Sequence, residues 1–393
     1  LSGHDGVGGR NQDGDSGQEH FVTSVVVDVI KELLFRNRDR RANPVLDGPM
    51  RPNSKLDERP VVCADIQEPD DIAIAKDGSV YVSTGRRLVR FADKTFRERT
   101  VIAEFEGLAT GVASRPEGGV VVCVAGHGVA FVDGPSSGKL LRIEGRDGLK
   151  CPTAVVVDPA GAIYVCDGSA DNAPDRWAHD LMEKRSSGRL LRIDPVSGSV
   201  ETIASGLAYP NGVCLAKDGQ SLLVSEAWSH SLLRAPLAAP GAKPPSLQAV
   251  MQNLPGYPAR IIPLTSGYCL TMFALRTQLV DFVLGEDSYR TKMMARIDPA
   301  YWIAPALRSE GHYLEPVQGG GLRKHGSLKA WAPPRSYGLV IFLDDEFEPD
   351  FSLHSRVGGA CHGVTGVAER DGDVFVTSKG SDKIVSVSGG SLQ

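Results

Sequence analysis

The sequence predicts an all-β chain: a six-bladed β-propeller with an N-terminal helical extension and helical lid insertions. Three observations predict it. A motif of two apolar runs joined by a Gly-bearing turn occurs six times between residues 70 and 380. Several copies are followed by a further run of the form GRLVRF or GKLLRI. A hairpin plus two more strands makes a small twisted sheet that cannot bury both faces alone, so neighbours must stack. Copies roughly 40 to 60 residues apart suit the blades of a propeller.

Residues 1–20 are rich in Gly, Asp, Asn and Gln and nearly devoid of apolar side chains. That composition predicts a disordered tail. Residues 21–36 (FVTSVVVDVIKELLFR) read as a short amphipathic helix, and 37–60 as an irregular lead-in. The propeller is expected over 61–393. Its copies are DDIAIAKDGSVYVSTG (70–85), TGVASRPEGGVVVCVAG (110–126), TAVVVDPAGAIYVCDG (153–168), NGVCLAKDGQSLLVSEA (211–227), ARIIPLTSGYCLTMFA (259–274) and TGVAERDGDVFVTSKG (365–380). Third runs are expected at 85–91, 138–143 and 188–193. Two insertions interrupt the repeat. Residues 169–187 predict a short helix. Residues 275–335 predict a lid, with Leu279, Phe282, Val283, Tyr289 and Met293 near a helical period.

Composition narrows the function classes. The net charge of -5 with both signs interspersed leaves no basic stripe for nucleic acid. The one dense cluster, Arg36 to Arg41, reads as a solvated helix end. No apolar run is long enough to span a membrane. Seven cysteines, without a CxxC pair or a Cys/His metal spacing, lean to a reducing compartment. A cytoplasmic location is therefore expected, with a periplasmic one as the alternative. The 21–36 helix is free to pack on its own propeller, on a second copy in a homodimer, or on a membrane surface.

The phrases SGRLLRIDPVSG (187–198), YPNGVCLAKDGQSLLVSEAWSHSLLR (209–234) and LPGYPARI (254–261) with TMFALRTQLVDFVL (271–284) resemble the strictosidine-synthase-like family, itself similar to the SMP-30/gluconolactonases and paraoxonases. The resemblance covers about residues 61–390. It implies a small-molecule site at the mouth of the central channel. In hydrolytic relatives a divalent cation, usually calcium, sits there on acidic and amide oxygens. Carried over residue by residue, the metal candidates are Asp70, Asp71, Glu68 and Asn211. Thr153–Ala154 and Ala259–Arg260 depart from the acidic or amide residues expected at their positions. A guanidinium at the metal position would repel calcium and would suit an anionic substrate group. Thr365 stands where the alkaloid-condensing relatives carry an acid/base Glu, which argues against that condensation.

The expected reaction is hydrolysis of a small lactone or ester, with no organic cofactor. His362, His354 or His127 would take a proton from water, as imidazoles do near neutral pH. Arg260 and Asn211 would stabilise the oxyanion. Glu226, Trp177 and Arg356 complete the expected substrate-binding set. Two alternatives stand beside hydrolysis: a ligand-binding propeller without chemistry, and a metal-independent lyase, isomerase or cyclase acting on an anionic substrate.

Overall fold

The computed structural model describes residues 43–58, 61–143, 148–237, 246–310, 312, 314–316, 323–324, 327–328 and 335–388. Residues 44–393 form one compact unit and 1–43 another. The tail expected over 1–20, the helix over 21–36 and the arginine cluster at 36–41 lie outside the described residues, as do Gly319–Gly321 and Pro333–Pro334 of the second insertion.

Six four-stranded antiparallel sheets form the blades. Blade 1 runs outward as Pro69–Ile74, Val80–Thr84, Arg87–Phe91 and Arg99–Glu104. The other innermost strands are Ala109–Ser114, Pro152–Val157, Pro210–Leu215, Gly256–Pro263 and Val364–Arg370. Each innermost strand packs on the next around the ring. Blade 6 takes its outermost strand, Val61–Asp65, from the start of the propeller, where it pairs with Lys383–Ser388. This closes the ring and removes a seam of open edges.

Apolar side chains interlock between blades. Ile72, Val80, Val82 and Phe91 of blade 1 pack on Phe375 and Ile384 of blade 6. Strands covered on both faces have no polar side to show, so Val120–Val124 is buried throughout. The run GKLLRI at 138–143 contributes the fourth strand of blade 2, Leu140–Arg142, and not a third, because Gly128–Val132 already fills that place.

The innermost strand of every blade carries a register shift near its start: Pro69/Asp71, Ala109/Val112, Pro152/Ala154, Pro210/Gly212, Pro258/Ile261 and Val364/Val367. A bulge turns the extra residue out of the ladder and leaves its carbonyl unpaired. Neighbouring blades supply the missing donors. Ser83 Oγ donates to the Thr110 carbonyl (2.5 Å), Ser225 Oγ to Ala259 (2.5 Å), Thr271 Oγ1 to Thr365 (2.7 Å) and Thr377 Oγ1 to Asp70 (3.3 Å). In blade 3 the equivalent residue is Cys166, whose thiol faces the Gly212 carbonyl at 3.8 Å, and the Asn211 carbonyl is met instead by Arg260 Nη1 at 2.6 Å. These four hydroxyl residues are fully buried. Glycine allows the close approach: a Cβ on Gly212 would stand 2.1 Å from the Ala259 oxygen, and one on Gly366 would stand 2.8 Å from the Asp71 Cα.

The lead-in carries a short helix, α1 (Lys55–Glu58), that buries Leu56 against blade 5. Asn53 Nδ2 donates to the Ser352 carbonyl (2.9 Å), and the His354 amide donates to Asn53 Oδ1 (3.1 Å). The His354 ring lies between the Tyr337 hydroxyl (2.9 Å) and Ser352 Oγ (2.8 Å). Both insertions leave their blades between the second and third strands. The first forms α2 (Trp177–Glu183); the second forms α3 (Gln278–Gly285) and α4 (Asp287–Arg296). Helix α3 buries Val280 and Val283, while Leu279 and Phe282 lie on its more open side. Tyr289 is likewise exposed. Of the five residues on the sequence period, Val283 and Met293 are buried, whereas Phe282 and Tyr289 are exposed.

Thr271→Val keeps the side-chain volume but removes the partner of two buried backbone groups, the Arg260 amide and the Thr365 carbonyl. Chemical denaturation should read a loss of about 1–3 kcal/mol, with Gly212→Ala destabilising by a similar amount through overpacking. Burial, reinforced by Arg356, pushes His354 down from 6.5 to about 4. The unfolded chain therefore takes up that proton first, and stability should fall as pH drops through the window from 6.5 to about 4. Denaturation midpoints should show this fall, and His354→Gln should flatten it.

Candidate functional site

The bulges aim one residue per blade at the mouth of the channel: Asp70, Thr110, Thr153, Asn211, Ala259 and Thr365. Five of them, with Arg260 and Lys379, line a pocket. Its outer wall is apolar, built from Trp177, Tyr209, Trp228, Phe273, Leu307 and Pro174.

Most of the polar mouth ring is occupied with holding blades together. Thr110 Oγ1 donates to the Pro152 carbonyl (2.7 Å), Thr153 Oγ1 to Pro210 (2.6 Å), Asn211 Nδ2 to Pro258 (3.3 Å) and Thr365 Oγ1 to Pro69 (3.3 Å). Two positions break this pattern. Ala259 has no polar group, and Asp70 turns both oxygens to cations.

Arg260 fills the space that Ala259 leaves. Its Nη1 donates to the Asn211 carbonyl (2.6 Å) and Oδ1 (3.2 Å), its Nη2 to Asp70 Oδ2 (2.9 Å), and its Nε faces Asp71 Oδ2 at 3.1 Å. Lys379 Nζ donates to Asp70 Oδ1 at 2.6 Å. Burial alone would raise Asp70, but Lys379 and Arg260 outweigh it and hold this carboxyl below its ordinary range. Burial dominates at Asp71 and raises it, despite Arg260. The two carboxylates in turn overcome burial at Arg260 and keep it charged. The cluster thus holds two cations against two carboxylates, with Lys379 as its most exposed charge.

This donor set does not fit a divalent cation. The oxygens of Asp70, Asp71 and Asn211 converge on a guanidinium, and Lys379 adds a second positive charge. Among the described residues, no group of three or more His, Cys, Asp or Glu side chains is arranged to hold a metal ion. Glu68 lies apart on the surface, 3.8 Å from Arg308.

The structure brings Asp70, Asp71, Asn211, Arg260 and Trp177 together and places the other expected residues elsewhere. His127 lies in the turn between the second and third strands of blade 2, 3.7 Å from Glu106, and does not line the mouth pocket. His354 sits in the outermost strand of blade 5, its ring nitrogens bonded to Tyr337 and Ser352. His362 is buried between Ser336 Oγ and the Arg356 carbonyl, at 2.9 Å from each. Arg356 is exposed and does not line the mouth pocket. Glu226 accepts from the Ala208 amide (2.8 Å) and from Ser229 and Ser231, so it braces a turn of blade 4. The polar atoms of His354, His362 and Glu226 are engaged by their own surroundings in blades 4 and 5 and not at the mouth.

Sequence reasoning missed Lys379, Tyr209, Trp228 and Phe273. The signal was positional. Lys379 follows the second strand of blade 6 and Trp228 nearly follows that of blade 4, and second strands end at the mouth. Trp228 is fixed there by its Nε1 donating to Asp180 Oδ1 of α2 (2.8 Å), and it stacks on Tyr209 at 4.4 Å.

The strictosidine synthase family model matches residues 153–238. The chain is 28% identical over 204 residues to strictosidine synthase-like 6 of Arabidopsis thaliana, covering 50% of this chain and 53% of that protein. It therefore spans about half the length of that relative. It is 25% identical over 360 residues to the human adipocyte plasma membrane-associated protein, covering 85% of this chain and 79% of that one. Among solved structures, a Xanthomonas campestris gluconolactonase aligns at TM-score 0.52 and 14% identity, over 85% of this chain and 92% of that one. A calcium-binding regucalcin from Agrobacterium tumefaciens aligns at TM-score 0.53 and 11% identity, over 84% and 93%. Among the described residues, no helix is long and apolar enough to cross a membrane. Fold, family model and relatives together make this chain a six-bladed β-propeller similar to the strictosidine-synthase-like and gluconolactonase proteins.

Proposed function

We propose that this chain hydrolyses a small lactone or ester at the channel mouth without a resident metal ion. The observation that carries the reading is the Lys379–Asp70 pair, an ammonium and a carboxylate 2.6 Å apart at the base of an aromatic-walled pocket. Lys379 has three protons and gives one to Asp70, so the others are available to the carbonyl oxygen of a substrate. They would stabilise the oxyanion as water attacks. Each Asp70 oxygen keeps a further lone pair after binding its cation, so this carboxylate would orient the water, accept its proton and return it to the leaving oxygen. Because Asp70 is held below its ordinary range, it is a weak base. The substrates that suit it are activated: strained lactones, or esters with a good leaving group. The gluconolactonase similarity supports the same reaction class.

One observation favours a second reading, binding without turnover. Among the described residues no imidazole lines the pocket, and four of the six mouth positions already give their protons to neighbouring blades.

A panel of lactones and p-nitrophenyl esters, assayed with and without chelator, separates the two. Saturable hydrolysis that survives chelation and falls at least about a hundredfold in Lys379→Met is the expected result. Calorimetric binding of panel compounds without turnover would support the second reading. Chelator-sensitive hydrolysis would overturn the metal-free assignment.

A further inference from the structure

We propose that the mouth pocket selects a carboxylate carried on a planar aromatic body, so that the acid released by hydrolysis is held more tightly than a neutral analogue. This rests on the reading of the mouth as a hydrolytic small-molecule site and adds the charge and shape of what it recognises.

The shape follows from the wall. Trp228 is held against Tyr209, Trp177 packs edge-on to Phe273 at 5.4 Å, and Tyr257 backs both Trp228 and Phe273 at 5.9 and 5.6 Å. The Trp228 N–H is committed to Asp180, and the Tyr209 hydroxyl meets Cys151 Sγ at 3.5 Å. Trp228 therefore offers its face and edges but no free donor, while the Tyr209 hydroxyl oxygen accepts from the thiol behind it. Flat, rigid surfaces of this kind favour a flat apolar partner. A polyhydroxylated ligand would leave its hydroxyls unpaired against them.

The charge follows from the distribution of protons at the base. The threonine hydroxyls donate to backbone carbonyls, and Arg260 is held by Asp70, Asp71 and Asn211. Lys379 is the charged donor with protons to spare, and its side chain is 28% exposed, against 13% for Asp70 and 7% each for Arg260 and Asp71. A ligand entering past the aromatic wall meets a positive charge first. A carboxylate there gains a charge-assisted hydrogen bond that a carboxamide does not.

Calorimetry on the full chain with benzoate and benzamide tests the proposal. Wild type should bind benzoate about tenfold more tightly than benzamide. Lys379→Met should equalise the two, and Lys379→Arg, which keeps the charge and guards against a folding artefact, should retain the preference. Equal binding by wild type, a preference that survives in Lys379→Met, or no binding of either compound would overturn the proposal. Turnover of p-nitrophenyl benzoate, which releases benzoate, is measured alongside and judges the hydrolytic reading separately. Turnover without a benzoate preference sinks only the selectivity, and the preference without turnover sinks only the hydrolysis.

Discussion

The molecule depends on how a bulged strand satisfies its backbone at the centre of a ring. Six innermost strands converge, and each gives up a ladder hydrogen bond to turn one residue toward the channel mouth. An unpaired carbonyl buried there would be costly. The hydroxyls of Ser83, Ser225, Thr271 and Thr377 remove that cost by reaching across to the next blade. One set of contacts therefore fixes both the spacing of the blades and the aim of the mouth residues. The site inherits its geometry from the joints.

This division of labour separates structural from functional polarity among residues that look alike in sequence. Thr110, Thr153, Asn211 and Thr365 reach the channel mouth, yet each gives a proton to the following blade. Asp70 sits at the equivalent place in blade 1 and instead faces Lys379 and Arg260. The departure from the ring pattern is what marks it. Arg260 enters from one position further along its strand, beside the small Ala259 and opposite Gly212, so a guanidinium occupies space that larger neighbours would close.

Much of the fold was legible in the sequence, because periodicity and glycine turns report local structure directly. The six copies correspond to the first two strands of the six blades. The helix in 169–187 also formed where its composition indicated. The charged centre was legible in part: Asp70, Asp71, Asn211 and Arg260 all stand at the starts of copies. The histidines were misleading because their chemistry is visible in sequence and their hydrogen-bond partners are not. His354 and His362 have both ring nitrogens engaged, by Tyr337 and Ser352 in the first case and by Ser336 and the Arg356 carbonyl in the second. Lys379 was hidden for the converse reason. A lysine in a turn looks solvated until the ring brings it to Asp70, 309 residues away in sequence.

The closure of blade 6 by Val61–Asp65 has a consequence for biosynthesis. The strand that completes the last blade precedes every other blade strand in the chain and waits for a partner, Lys383–Ser388, that follows them all. Joining so long a loop carries an entropic cost that grows only slowly with length. It nevertheless cannot be met until blade 6 itself has been translated. The contacts of Asp70 with Lys379 and of Pro69 with Thr365 straddle that seam. A nascent chain lacking blade 6 thus has the aromatic wall and Arg260 but not the lysine, and the charged centre is assembled only when the ring shuts.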